Sequence, residues 1–279
     1  MPQGRPRRRT CSRGFQSRSA SWAGYSRSSC WSACAGGTEV FDHVTVRASD
    51  REASVRFYDT VLQTLGIARD HTDDQYPQWG DFSVAQATGE KPVTRRLHVA
   101  FVAPSREDVD QFWRVGTEAG YRDDGAPGLR PQYSPAYYGS FLLDPDGNSA
   151  EAVHHEERRR GPIDHLWIRV ADLDASRRFY ETVAPFTGFP LRGEGPDRRG
   201  FVGESGSFSV VLGTPTEYLH VAFPAADNTT VEAFHRTALA AGYTDNGAPG
   251  ERPIYHAGYY SAFVLDPDGN NVEVVNHNR

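Results

Sequence analysis

Six residues stand at matched intervals along this chain: His43, His98 and Glu151, then His165, His220 and Glu273. The gaps are 55 and 53 residues within each set, and the second set follows the first by 122. Two imidazoles and one carboxylate, with coordination positions left open, form a facial ligand set for a divalent metal. Iron(II) uses such a set in non-haem oxygen chemistry, and Mn2+, Zn2+, Ni2+ or Co2+ fit it as well. One strand histidine is more often an ordinary core or surface residue. Two matched sets, retained where much of the surrounding sequence has diverged, argue for metal sites.

The elements that must position these residues repeat with the same offset. DHVTVRASDREASVRFYDTV from Asp42 answers DHLWIRVADLDASRRFYETV from Asp164, and LHVAF at Leu97 recurs at Leu219. DDGAPGLRPQY at Asp123 answers DNGAPGERPIY at Asp245, and LDPDGNSAEAV at Leu143 answers LDPDGNNVEVV at Leu265. Two units follow, 39–156 and 160–279, joined by the charged stretch from His154 to Arg160. Each unit divides again. Asp42–Ala48 alternates as a strand, with Val44, Val46 and Ala48 on one face and His43, Thr45 and Arg47 on the other. Phe57, Tyr58, Val61, Leu62 and Leu65 follow at helical spacing, and Gly66 suits the residue after a helix. A second strand and helix run from Leu97 to Gly120. The Asp-Pro-Asp-Gly turn then predicts a hairpin joining 138–143 to 148–153. Each half-unit thus reads β-α followed by about three strands. The fold class is α+β, with four such modules forming two tandem domains. His43, His98 and Glu151 all alternate away from the helix-facing side, so they can converge inside curved mixed sheets around a cleft.

Composition limits the functions open to the chain. A net charge of −6 gives no basis for binding nucleic acid, and no apolar run reaches the roughly 20 residues of a membrane span. The expected partner is a small-molecule substrate, and the chain is expected as monomer or homodimer. All three cysteines (Cys11, Cys30, Cys34) fall in the first 38 residues. The repeat region therefore has no thiolate site and no disulfide, which makes the cytoplasm the default compartment. Residues 1–38 are rich in arginine and serine and carry no acid. They read as a disordered leader outside the fold; an organelle transit peptide is the other reading. No nucleotide fingerprint is present.

DHVTVR, LHVAF and LDPDGN-x-x-E, set in paired β-α-β-β-β modules, resemble the vicinal oxygen chelate superfamily. That superfamily includes glyoxalase I, fosfomycin-resistance thiol transferases, bleomycin-resistance proteins and extradiol dioxygenases. The resemblance covers 39–279. It implies one divalent metal per site, chelating two vicinal oxygens of a substrate, with His43, His98, Glu151, His165, His220 and Glu273 as ligands. Glyoxalase I usually adds a glutamate in the last strand of its first module. Here that strand reads Phe-Ser-Val at Phe82 and again at Phe208, with no acid. The three-ligand set resembles extradiol dioxygenases and thiol transferases instead. The stretch from His256 to Glu273 also resembles part of the extradiol signature, although Phe263 stands where that signature has tyrosine. The resemblance makes His256, with Tyr260, the candidate catalytic pair, and favours Fe2+ or Mn2+ as cofactor.

Gly-Ala-Pro-Gly-x-Arg-Pro, at Gly125–Pro131 and Gly247–Pro253, reads as a loop leading into Tyr133, Tyr137 and Tyr138, or Tyr255, Tyr259 and Tyr260, which could line the mouth of a pocket. Arg130, Tyr138, Arg252 and Tyr255 are candidates for holding an anionic or aromatic substrate there, with Arg169 on the strand face of His165. The same residues could merely cap the sheet or pair with nearby acids. Three functions remain open: ring-opening oxygenation, Lewis-acid lyase, isomerase or thiol-transfer chemistry, and ligand sequestration without catalysis. The sequence also leaves open which modules face each other. His43 could join His98 and Glu151, or, in a crossed arrangement, His220 and Glu273.

Overall fold

The computed structural model describes residues 41–70, 76–155, 161–204 and 206–278. The leader at 1–38 and most of the charged stretch before Gly161 lie outside them. The first module comprises β1 (His43–Ala48), α1 (Arg51–Leu62), β2 (Gln78–Trp79) and β3 (Phe82–Gln86). The second comprises β4 (His98–Val102), α2 (Arg106–Glu118), β5 (Arg122–Leu129), β6 (Tyr138–Leu143) and β7 (Ser149–His154). In the third come β8 (Ile163–Val170), α3 (Leu173–Thr187), β9 (Leu191–Glu194), β10 (Arg198–Val202) and β11 (Ser207–Leu212). The fourth holds β12 (His220–Pro224), α4 (Asn228–Ala240), β13 (Thr244–Glu251), β14 (Tyr260–Leu265) and β15 (Asn271–Asn276).

Local chemistry sets the helix starts. Asp50, Ser105, Asp172 and Asp227 each accept a backbone N–H two or three residues on, satisfying donors that the first turn leaves free. After α1 a short 3-10 turn runs to Leu65, and Gly66 closes it at φ 74°, a left-handed conformation that glycine adopts without strain. Helices α1 and α3 bury matching faces, with Phe57, Tyr58 and Val61 answered by Phe179, Tyr180 and Val183. Each such apolar side chain contributes roughly 1.5–3 kcal/mol on full burial.

Two sheets share the modules out across the repeats. The seven-stranded sheet runs β13-β14-β15-β12-β1-β3-β2, and the eight-stranded one β5-β6-β7-β4-β8-β11-β10-β9. The first sheet therefore joins module four to module one, and the second joins module two to module three. Both sequence repeats contribute to both sheets. The joints are antiparallel: β1 pairs with β12, and β4 with β8. Helix contacts instead tie together the modules of one repeat. Tyr58 donates to Asp144 and Tyr180 to Asp266, each at 3.1 Å, fastening a helix to its own repeat's hairpin turn.

The Gly-Ala-Pro-Gly stretch, expected as a loop, lies within the edge strands β5 and β13. Register shifts follow Asp123 and Asp245, marking bulges. A bulged edge tolerates proline because the missing N–H faces outward. That is why the composition of a turn runs on here as strand.

Candidate metal centres

Strand register explains how the candidate ligands meet. His43 pairs with Ala222 across β1–β12, and Ala222 pairs with Glu273 across β12–β15. His220 lies two residues before Ala222, so all three share one face of three adjoining strands. The eight-stranded sheet repeats this with Ala100 at the middle, flanked by His165 on β8 and Glu151 on β7. Ala100 and Ala222 are fully buried, and their single methyl groups leave the floor of each cup open. Each triad crosses the repeats. The first centre is His43, His220 and Glu273, and the second is His98, Glu151 and His165. The crossed arrangement is the one the fold adopts.

In the first centre His43 Nε2 lies 2.9 Å from His220 Nε2 and 3.5 Å from Glu273 Oε2, while His220 Nε2 is 2.9 Å from that oxygen. Ligands held about 2.1 Å from one ion stand about 3–3.4 Å apart in octahedral or tetrahedral geometry. The observed spacings bracket that range. Two imidazole nitrogens aimed at each other beside a buried carboxylate form a donor set shaped for a cation. In the second centre His98 Nε2 and His165 Nε2 lie 3.0 Å and 3.7 Å from Glu151 Oε2.

The sequence dipeptide Asp-His, present in both repeats, supplies the support. Asp42 Oδ1 holds His43 Nδ1 at 2.8 Å, and Asp164 Oδ1 holds His165 Nδ1 at 2.8 Å. A proton held on Nδ1 by that bond leaves Nε2 as the nitrogen available to a metal. The other carboxylate oxygen of each pair is taken by His277 at 2.6 Å or His155 at 2.7 Å. Burial alone would raise the Asp42 carboxyl, but its bonds to His277 and His43 hold it well below the ordinary carboxylate range. Burial likewise opposes ionisation of Glu273, and the bond to His220 with the neighbouring His43 overcomes it. Burial keeps His98 and His220 below the usual imidazole range and so in the neutral state a metal requires. His43 is shifted upward: burial works against its charged form, but Asp42 and Glu273 outweigh it.

Tyr137 and Tyr259 complete the centres. Tyr137 Oη donates to Glu151 Oε1 at 2.7 Å, and Tyr259 Oη donates to Glu273 Oε1 at 2.8 Å. Burial, then the glutamate charge, pushes both phenols far above their ordinary range, so they remain neutral donors. Both belong to the tyrosines that follow the Gly-Ala-Pro-Gly-x-Arg-Pro stretch. Tyr138 and Tyr260 face the helices, donating to Asp110 at 2.7 Å and Glu232 at 3.2 Å. The candidate acid–base His256 bonds His277 at 2.8 Å, which links it to His43 through Asp42. Arg130 and Arg252 bond the carbonyls of Ala126 and Ala248 in the edge strands just before them and stack 5.4 Å above Phe141 and Phe263. Tyr255 is half exposed and packs its ring 4.8 Å from that of Tyr259. Arg169 Nη1 bonds the Arg96 carbonyl at 3.4 Å, as Arg47 bonds that of Tyr218 at 3.3 Å. Ser83 and Ser209, from the acid-free strands, pair with Thr45 and Trp167 and so face the cups.

Curved sheets built from paired β-α-β modules, each sheet holding one His-His-Glu set, define a class of metal-binding fold. A profile described as the Glyoxalase/Bleomycin resistance protein/Dioxygenase superfamily matches residues 40–152 and again 162–274. The chain belongs to that superfamily, as a tandem of two of its domains. Glyoxalase I from Zea mays superposes with a TM-score of 0.60 at 20% identity, covering 85% of this chain and 92% of the maize one. A protein from Bacillus subtilis, provisionally assigned as a dioxygenase, gives 0.60 at 14% identity, covering 86% and 85%. Similarity at that level of identity establishes the fold alone. No curated protein matches the chain significantly. Among the described residues, no helix is long and apolar enough to cross a membrane.

Proposed function

We propose that each centre holds one divalent metal, iron(II) or manganese(II) foremost, and that the chain opens catechol-like rings of a small substrate by extradiol-type oxygenation. One observation carries this reading: the triad has three ligands, and serine faces the cup where a proton-transferring fourth carboxylate would stand. Ser83 Oγ is 2.8 Å from Thr45 Oγ1, a neutral pair with no basic group. Proton shuffling of the glyoxalase type needs a carboxylate there, whereas oxygenation needs open coordination positions. Such a metal would supply Lewis acidity toward two vicinal substrate oxygens and electrons for dioxygen. The chain's own residues hold the geometry. Asp42 and Asp164 orient the ligand imidazoles, Tyr259 and Tyr137 lock the glutamates, and Arg47 and Arg169 place positive charge on the ligand-bearing strand faces.

A second reading, Lewis-acid chemistry without oxygen, draws support from His256, which turns to His277 rather than standing among the ligands. Oxygen uptake separates the two. Protein purified anaerobically, loaded with Fe2+ or Mn2+ and given catechol should consume one dioxygen per ring opened and yield a yellow ring-fission product. Loaded protein that binds catechol without consuming oxygen would leave the Lewis-acid reading, and protein that takes up no metal would contradict both.

A further inference from the structure

The two centres share their ligands and their tyrosine, yet one neighbour differs sharply. Thr45 lies on β1, two residues beyond His43, and pairs across to His220. Its counterpart in the other repeat is Trp167, two residues beyond His165, pairing across to His98. Both side chains therefore stand on the ligand face beside a ligand histidine. The indole of Trp167 is centred 5.2 Å from the ring of His98 and 6.1 Å from that of His165. Its outer side meets Tyr133 edge-on at 5.5 Å, with an interplanar angle of 81°. It is only partly buried, so the indole is a wall of the cup and not a core residue. In the first centre the same strand position holds Thr45, whose hydroxyl bonds Ser83 at 2.8 Å, and the ring that meets Tyr255 edge-on is Tyr76, 6.5 Å away. Two hydroxyls carry two donor hydrogens, and the bond between them uses one. The other is left to meet an oxygen of a ligand.

We infer that Trp167 is a specificity-determining residue that makes the two centres unequal: the Trp167 cup admits only flat, unbranched aromatic vicinal diols, while the Thr45 cup also admits bulky ones. This rests on the reading of the cups as vicinal-oxygen chelating sites. Offset stacking on the indole favours a flat ring by roughly two- to tenfold in affinity. A branched substituent collides with the indole but finds room beside the much smaller threonine.

The test uses full-length protein loaded anaerobically with Zn2+, which binds without redox turnover. Catechol and tert-butylcatechol are titrated calorimetrically, and bound zinc is counted independently in every preparation. Wild type should bind two equivalents of catechol but one of tert-butylcatechol. Trp167→Thr should bind two of each, with the catechol affinity of the altered cup falling two- to tenfold. Thr45→Trp, where it folds, should bind no tert-butylcatechol. Equal numbers of the two ligands in wild type, or one tert-butylcatechol still bound in Trp167→Thr, would overturn the inference. So would zinc-replete protein that binds no catechol. A zinc count below two counts against the metal centres themselves, and is read apart from the ratio of ligands.

Discussion

Replacing Tyr259 by phenylalanine removes one hydroxyl from the first centre and alters little else. That hydroxyl lies 2.8 Å from Glu273 Oε1 and stays protonated because burial and the glutamate charge oppose its ionisation. Glu273 is 1% exposed, so water has little access to replace the lost donor. A hydrogen bond to a charged group contributes about 1.5–3 kcal/mol, or roughly 10- to 150-fold in an equilibrium constant. Loss of an outer partner to a metal ligand typically weakens metal affinity about 10- to 100-fold, which overlaps that range. The ring remains and keeps its contacts with Tyr255 and His277, so the cup should not collapse. Competitive titration of Zn2+ against a chromophoric chelator should therefore become biphasic in Tyr259→Phe. One site should keep its wild-type Kd, and the other should weaken by one to two orders of magnitude. Tyr137→Phe should give the same pattern through Glu151, 2.7 Å from its hydroxyl. Two sites weakened equally, or neither weakened, would refute the assignment of these tyrosines to separate glutamate ligands.

Trp167 should report on one centre alone, since its ring lies 5.2 Å from that of His98. Titration with Co2+ should quench tryptophan fluorescence in wild type and in Glu273→Ala, but no longer through this ring in Glu151→Ala; equal quenching in both variants would contradict the geometry. Metal-free protein should also depend on Asp42 in a pH-dependent way. Its carboxyl is held below the ordinary value of about 4, so the stability it contributes is present above that pH and lost as the pH falls through the folded value. Asp42→Asn should lower Tm at pH 7, and its deficit should shrink by pH 3; a deficit constant across that range would rule out the charged pairing.

The six clustered residues were legible because duplication printed them twice at one offset, and period-two alternation put them on one strand face. Which histidine joins which glutamate was not. Alternation fixes a face but says nothing of strand neighbours, and β1 pairs with β12, far along the chain, not with β4. Tyr137 and Tyr259 were within reach. Phe141 and Phe263 pair with Glu151 and Glu273 across the hairpins, and counting back four residues on that face gives Tyr137 and Tyr259. Tyr138 and Tyr260, one residue later, fall on the side that meets the helices. The Asp-His dipeptides and the matched pair His155 and His277 were equally visible. A carboxylate beside a strand histidine has no periodic signature, so alternation does not mark its role. The edge strands β5 and β13 were hidden by Gly and Pro, whose turn preference yields to sheet pairing at a bulged edge.

Metal content in two double variants tests the crossed assembly most directly. His43→Ala with Glu273→Ala removes ligands from opposite ends of the chain but from one centre, and should leave one metal per chain. His43→Ala with Glu151→Ala removes ligands from a single repeat but from both centres, and should leave none. The reverse result, with no metal in the first variant and one in the second, would show that each repeat builds its own site and would contradict this account.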